Sequence, residues 1–144
     1  MAEQIARFKP GENVPVFAQT QILAGRFVQV TGKDTRGAYN GNHAPAGSSA
    51  FGVSERDSAP STYPAHSIDR MVNVVRRGAV AMVEAGAAIP AGTIVSSDAN
   101  GRAVAYVPPN TTAAGAAVAT TPVALGRTIT AAAGLGSIIE VDLY

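Results

Sequence analysis

The sequence predicts an all-β fold, a small antiparallel β-barrel or sandwich with an extended N-terminal arm and long loops. Three observations carry that prediction. Apolar and polar residues alternate with period two over much of residues 72–143, Gly, Pro, Asn and Asp punctuate the breaks, and no segment sustains a helical period. Many short strands separated by turns describe a barrel or a sandwich.

Residues 1–19 combine Pro10, Gly11 and Pro15 with the isolated apolar side chains Ile5, Phe8, Val14, Val16 and Phe17. That mixture suits an extended arm rather than a helix. Residues 20–144 then read as a single β-barrel domain. Val28 and Val30 against Gln29 and Thr31 mark a half-buried strand within residues 22–31. Residues 32–49 and 55–70 read as long polar loops, with a short strand over 51–54 between them.

Residues 71–84, dense in valine, are the most strand-like part of the chain and are expected at the centre of the sheet. Arg76-Arg77-Gly78 interrupts them, with the glycine at a bulge or tight bend. Pro90 and Gly92 turn the chain just before Thr93-Ile94-Val95. Asn100-Gly101 turns it again, as a type I′ hairpin between residues 93–97 and 102–107. A Thr/Ala/Pro/Gly-rich loop over 108–121 follows. Strands over 122–130 and 137–143 close the chain, the last alternating Ile139, Val141 and Leu143 with Glu140 and Asp142.

An internal echo runs through this order. Ile22-Leu-Ala-Gly-Arg-Phe-Val28 matches Ile89-Pro-Ala-Gly-Thr-Ile-Val95 at the isoleucine, alanine, glycine and valine. Ala50-Phe-Gly-Val53 is answered by Ala124-Leu-Gly-Arg127, the two offsets being 89 − 22 = 67 and 124 − 50 = 74 residues. The chain reads as two related β units.

With 144 residues the chain is long enough for one domain that buries about two-thirds of its unfolded surface. Alanine inflates the 47% hydrophobic content, aromatics are 6% and Trp is absent, so a thin core of Val, Ile and Leu is expected. Such a core gains from a partner. A net charge of +1 with 15% charged residues gives no basic footprint for nucleic acid or for an acidic membrane surface. The absence of cysteine excludes disulfides and thiolate zinc sites. Residues 1–10 lack the apolar core of a signal peptide, which implies use without secretion. The uncharged run over 103–126 is broken by Pro108, Pro109, Asn110 and Pro122, too often for a transmembrane helix.

His43 and His66, the two histidines, lie in the polar loops, with Asp57, Ser67 and Asp69 near in sequence. No Gly-x-Ser-x-Gly elbow accompanies them, no His-x-x-x-His or spaced carboxylates offer a metal shell, and no glycine spacing fits a phosphate loop. They read as solvated loop residues, so no catalytic, cofactor-binding or metal-binding residue is assigned. Arg70, Arg76 and Arg77 form the single local basic cluster, suited to clamping an acidic patch on a protein partner.

The arm, the cysteine-free Ala/Gly/Val-rich body, the phrase Ala85-Gly-Ala-Ala-Ile-Pro-Ala-Gly-Thr-Ile-Val-Ser-Ser-Asp-Ala-Asn-Gly-Arg-Ala103 and the ending Ala131-Ala-Ala-Gly-Leu-Gly-Ser-Ile-Ile-Glu-Val-Asp-Leu143 resemble the small head-decoration, or capsid-cement, proteins of tailed bacteriophages. The likeness covers residues 22–30, 51–53 and 71–143, and the loops at 32–49 and 55–70 depart from it. The resemblance implies a structural virion protein that performs no reaction. It would be made in the host cytoplasm and decorate the outer surface of the expanded icosahedral head at junctions of major capsid subunits, as a homotrimer on the shell. The major capsid protein is then the expected partner, with no cofactor, nucleic acid or membrane. The capsid-binding residues expected are Ile5, Phe8, Lys9, Pro10 and Val14 of the arm, together with Arg76 and Arg77. A carbohydrate- or receptor-binding β module, with Tyr39, His43, Tyr63 and His66 on its ligand face, is the alternative, and a small hydrolase a third.

Overall fold

The computed structural model describes residues 13–108 and 122–144. Ten strands carry the described chain: β1 Asn13–Ala18, β2 Phe27–Lys33, β3 Tyr39–His43, β4 Gly52–Ser54, β5 Met71–Arg76, β6 Val80–Glu84, β7 Ile94–Ser97, β8 Ala103–Ala105, β9 Gly126–Thr128 and β10 Ile138–Leu143. A single 3-10 turn, Ile68–Arg70, precedes β5. The first five strands close a barrel in the order β1-β3-β2-β4-β5, and the last five form a sheet in the order β6-β10-β9-β7-β8. The fold is all-β, as the turn punctuation predicts.

The expected repeat is present strand for strand. In the first unit Phe27 faces Val53 and Val28 faces Gly52, and in the second Ile94 faces Arg127 and Val95 faces Gly126. Gly52 then faces Arg76 as Gly126 faces Leu143, and Val14 faces Val74 as Ala81 faces Val141. So β1 to β5 correspond to β6 to β10 in order. The parallel contact that closes the first barrel, Ala18 on Gly41, survives in the second as the lone bridge of Ala85 on Ala103.

Local chemistry repeats with the topology. Gly25 and Gly92 both take positive φ, at 69° and 78°, in the turn before the second strand of each unit. A buried hydroxyl holds each turn: Ser54 Oγ accepts from the Arg26 N–H and donates to the Leu23 carbonyl, as Thr128 Oγ1 accepts from Thr93 and donates to Pro90. Gly52 and Gly126 are obligatory for another reason. A Cβ at either would collide with the facing carbonyl oxygen, of Val75 or of Asp142.

Residues 13–18 correct the expected arm. Val14, Val16 and Ala18 are buried and alternate with exposed Asn13 and Pro15, so this stretch is a barrel strand between β3 and β5. Pro15 is tolerated because pairing with β3 begins only at Val16. The supposed loop at 32–49 is partly strand, since β2 runs on to Lys33 and β3 returns beside it through a turn at 34–38. Asp34 Oδ1 accepts the N–H groups of Arg36 and Ala38 and takes over the ordering that apolar alternation supplies elsewhere. Residues 55–70 do form a loop apart from the 3-10 turn, and 108–121 lies outside the described residues except for Pro108.

Four smaller expectations also change. The 93–107 hairpin exists as β7 and β8, but its turn is not type I′: among the described residues none but glycine has positive φ. The Gly101 N–H donates to the Asp98 carbonyl and Gly101 takes φ 75°, a type I turn followed by a left-handed glycine. β5 is flanked by β1 and β4 as a central strand should be, whereas β6 stands at the end of its sheet. The expected strand over 122–130 contracts to β9. One pair, β1 with β3, is parallel.

Two buried clusters fill the units. Val16, Ala18, Ile22, Val28, Val72 and Val74 occupy the first barrel. Their counterparts Val83, Ala85, Ile89, Val95, Ile139 and Val141 occupy the second, joined there by Phe27, Ala44 and Val53 from the first unit. The core is thin in aromatics, as composition indicates, and its second cluster crosses the junction into the first unit.

Candidate functional site

The expected binding residues are distributed by the way β1 and β5 pair. Asn13, the first described residue, faces Val75, and Arg76 and Arg77 follow Val75 towards the bend at Gly78. Arg76 and Arg77 therefore stand at the rim of the barrel beside the start of β1. Arg77 is exposed there, and Arg76 lies half-buried with its guanidinium 5.0 Å from the Phe51 ring centre. Ile5, Phe8, Lys9 and Pro10 lie outside the described residues. Val14 is a correction: it is fully buried in the barrel and has no surface to offer a capsid.

Arg70 also leaves the basic cluster. Its guanidinium is buried and donates to the carbonyls of Ala18, Gln19 and Tyr63, so it ties the 55–70 loop to the end of β1.

Clefts flank the rim. One, of about 220 Å³, has Arg77, Phe51, Val123, Leu125 and Tyr144 among its walls. A second, of about 360 Å³, lies between the outer face of the first barrel and the end strand β6, and Val80, Met82 and Ile138 on its walls are each more than half exposed. Sequence reasoning missed this second cleft. The signal was the unbroken run Val80-Ala81-Met82-Val83, which turns Ala81 and Val83 into the core and leaves two large apolar side chains on the other face.

The histidines have structural work. His43 Nε2 accepts the Leu23 N–H at 2.9 Å, which requires the neutral ring, and burial together with the Arg26 charge lowers its pKa against the smaller opposing effect of Asp98. It is not the solvated residue expected. His66 Nδ1 lies 3.3 Å from Asp34 and its ring meets Phe17 edge-on. Asp57 accepts from the Ala24 N–H and the Ser67 hydroxyl caps the 3-10 turn. These contacts draw the candidate catalytic groups apart into loop anchors. Tyr39 packs against Phe51 with Lys33 over its ring, which engages one residue of the alternative ligand face.

With this geometry in view, a family model described as phage cement protein matches residues 8–143. The chain belongs to the phage cement proteins. It is accordingly a structural protein associated with the phage head and carried in the virion. The fold of this cement protein is similar to that in "The crystal structure of head fiber gp8.5 N base in bacteriophage phi29", with a TM-score of 0.66 over 92% of this chain and 93% of the other at 18% identity. No curated protein sequence matches it.

Proposed function

We propose that this protein decorates the outer surface of the expanded head and stabilises it by binding at junctions of major capsid subunits. Family membership across residues 8–143 carries the reading. The rim gives it a physical basis. Arg76 and Arg77 stand beside the start of β1 and, with Lys9 and Pro10, make up the contact of this reading, suited to an acidic patch on the shell. Each such contact is weak alone, and a lattice that presents several together raises the effective affinity, consistent with a homotrimer assembled on the shell.

Co-sedimentation with expanded and unexpanded capsids and with unassembled capsid subunits tests the reading. Tight binding to expanded capsids alone is expected. Arg77→Glu and deletion of residues 2–12 should each weaken it at least tenfold and leave the far-ultraviolet circular dichroism of the free protein unchanged. Equal binding to isolated subunits would overturn the composite site.

A further inference from the structure

β6 stands at the end of its sheet, and half of its backbone points outward. The Glu84 N–H donates to the Gly25 carbonyl, away from the sheet, and the Ala85 N–H donates to Ser137, just before β10. By strand alternation Ala81 and Val83 turn their N–H and C=O groups to β10, and Val80 and Met82 turn theirs away from it. No hydrogen bond among the described residues reaches the N–H or C=O of Val80 or Met82 on that outer side.

The matching position of the first unit is closed to pairing. Pro15 corresponds to Met82, as Val16 corresponds to Val83, and it has no N–H to give. A proline on an open edge guards against strand addition. The second unit lacks that guard, and the exposed side chains of Val80, Met82 and Ile138 stand beside its open edge, on the wall of the cleft of about 360 Å³.

We propose that the β6 edge takes an extended strand of another protein into this cleft by strand addition, a strand apolar at alternate positions and carrying a basic residue. On the decoration reading, on which this assignment rests, that strand belongs to the major capsid protein. Three features select it. Unpaired N–H and C=O groups on alternate residues match the backbone of an extended chain. Val80, Met82, Ile138, Val53 and Val75 give its side chains apolar neighbours. Glu55 is the one charged residue on the described walls, its Oε1 accepting from Asn13 at 2.6 Å, so a cation on the incoming strand completes the charge.

A second copy does not supply such a strand. Isologous pairing of two β6 edges brings the same acidic, cation-free wall against itself. The outer edge of β8 is too short, because the Ala103 carbonyl already accepts from Gly86 and Ala105 is the last residue of that strand.

Met82→Pro copies Pro15 and removes the outward N–H without touching the ladder to β10. It should keep the circular dichroism and thermal midpoint of the wild type and lose at least tenfold in affinity for expanded capsids in co-sedimentation. Met82→Ala, which keeps the N–H, should lose less than threefold. Equal losses in the two overturn strand addition, and so does wild-type affinity in folded Met82→Pro. Glu55→Lys should weaken binding at least threefold, and unchanged binding overturns a basic strand. As a measurement that needs no variant, hydrogen exchange is followed by mass spectrometry over residues 79–84 of the unmodified protein. The Val80 and Met82 amides should exchange rapidly in the free protein and at least tenfold more slowly on capsids. Protection already present in the free protein overturns the proposal, since the edge is then covered without a capsid, and unchanged exchange in capsid-bound protein overturns it too. Wild-type protein that does not sediment with capsids fails the decoration reading and strand addition together, whereas equal sedimentation of wild type and Met82→Pro fails strand addition alone.

Discussion

The two halves of this protein share a fold and differ in what covers them. Val53 and Phe27 in the first unit are buried against the second, while their counterparts Arg127 and Ile94 are exposed and half-exposed. Val75 lines the junction, and its counterpart Asp142 is exposed and directly faces Arg127. The contact is head-to-tail rather than two-fold. Gly101, in the β7–β8 turn, packs on the Phe27 carbonyl, Arg26 and His43, while the corresponding Gly37 in the first unit has open space around it. Gly25 packs against Glu84 and Met82, and the corresponding Gly92 has open space.

A head-to-tail contact leaves one donor and one acceptor face unused, and repetition of it would build a ring or a fibre. The second unit carries an Arg127–Asp142 cross-strand pair where the first carries valines, so a third unit would have to desolvate two charges to dock in the same way. The difference teaches that divergence after duplication fell on the faces and spared the turns. Arg26 and Glu84 add an ion pair across the occupied junction, and Arg26 also donates to the Asn100 carbonyl.

The largest expected effect breaks the comparison at its centre. Phe27→Ala should destabilise the protein by about 3–5 kcal/mol, because the ring is 1% exposed and packs from the first unit into the core of the second. Ile94→Ala, the same strand position in the uncovered unit, should cost under about 2 kcal/mol. Urea denaturation of both variants measures this. Equal losses would mean that Ile94 is also covered in solution, by a second copy.

A smaller pair sharpens it. Gly92→Ala places a side chain in the left-handed region with nothing nearby, at a cost of about 1 kcal/mol. Gly25→Ala carries the same strain and in addition presses a Cβ to 3.3 Å from the Glu84 nitrogen and 3.4 Å from the Met82 oxygen. It should therefore lower the thermal midpoint clearly more than Gly92→Ala does. Identical shifts would deny the head-to-tail contact its tightness.

How much of this was legible in the sequence follows from which residues bear the pattern. The Pro90–Gly92 turn and the alternation of Ile139, Val141 and Leu143 could be read directly, because turn chemistry and one-sided burial each leave a local mark. The duplication could be read from Ile-x-Ala-Gly, which builds the same turn twice. β1 could not, because its two valines and Ala18 are interleaved with a proline, although Val16 and Ala18 match Val83 and Ala85 in register. β3 carries no apolar alternation at all, and side-chain-to-backbone bonds from Asp34 and pairing to β1 and β2 hold it. The residues proposed for capsid binding were half legible: Arg76 and Arg77 were visible as charge, while the burial of Val14 and Arg70 depends on partners distant in sequence.

The smallest expected effect concerns a group that one unit has and the other lacks. His43 in β3 corresponds to Ala105 in β8, and its Nε2 accepts a backbone N–H, a bond the protonated ring cannot make. Burial, reinforced by Arg26, lowers its folded-state pKa below the ordinary histidine value. The unfolded chain then binds more protons than the folded one as pH falls below about 6.5, the unfolded value, so stability falls from there down through the lowered folded value. Thermal midpoints recorded between pH 7.5 and 5 should decline modestly in the wild type. His43→Gln, which keeps an acceptor for Leu23 without the titration, should flatten that part of the curve. An unchanged slope in His43→Gln would mean that this ring does not carry the pH sensitivity.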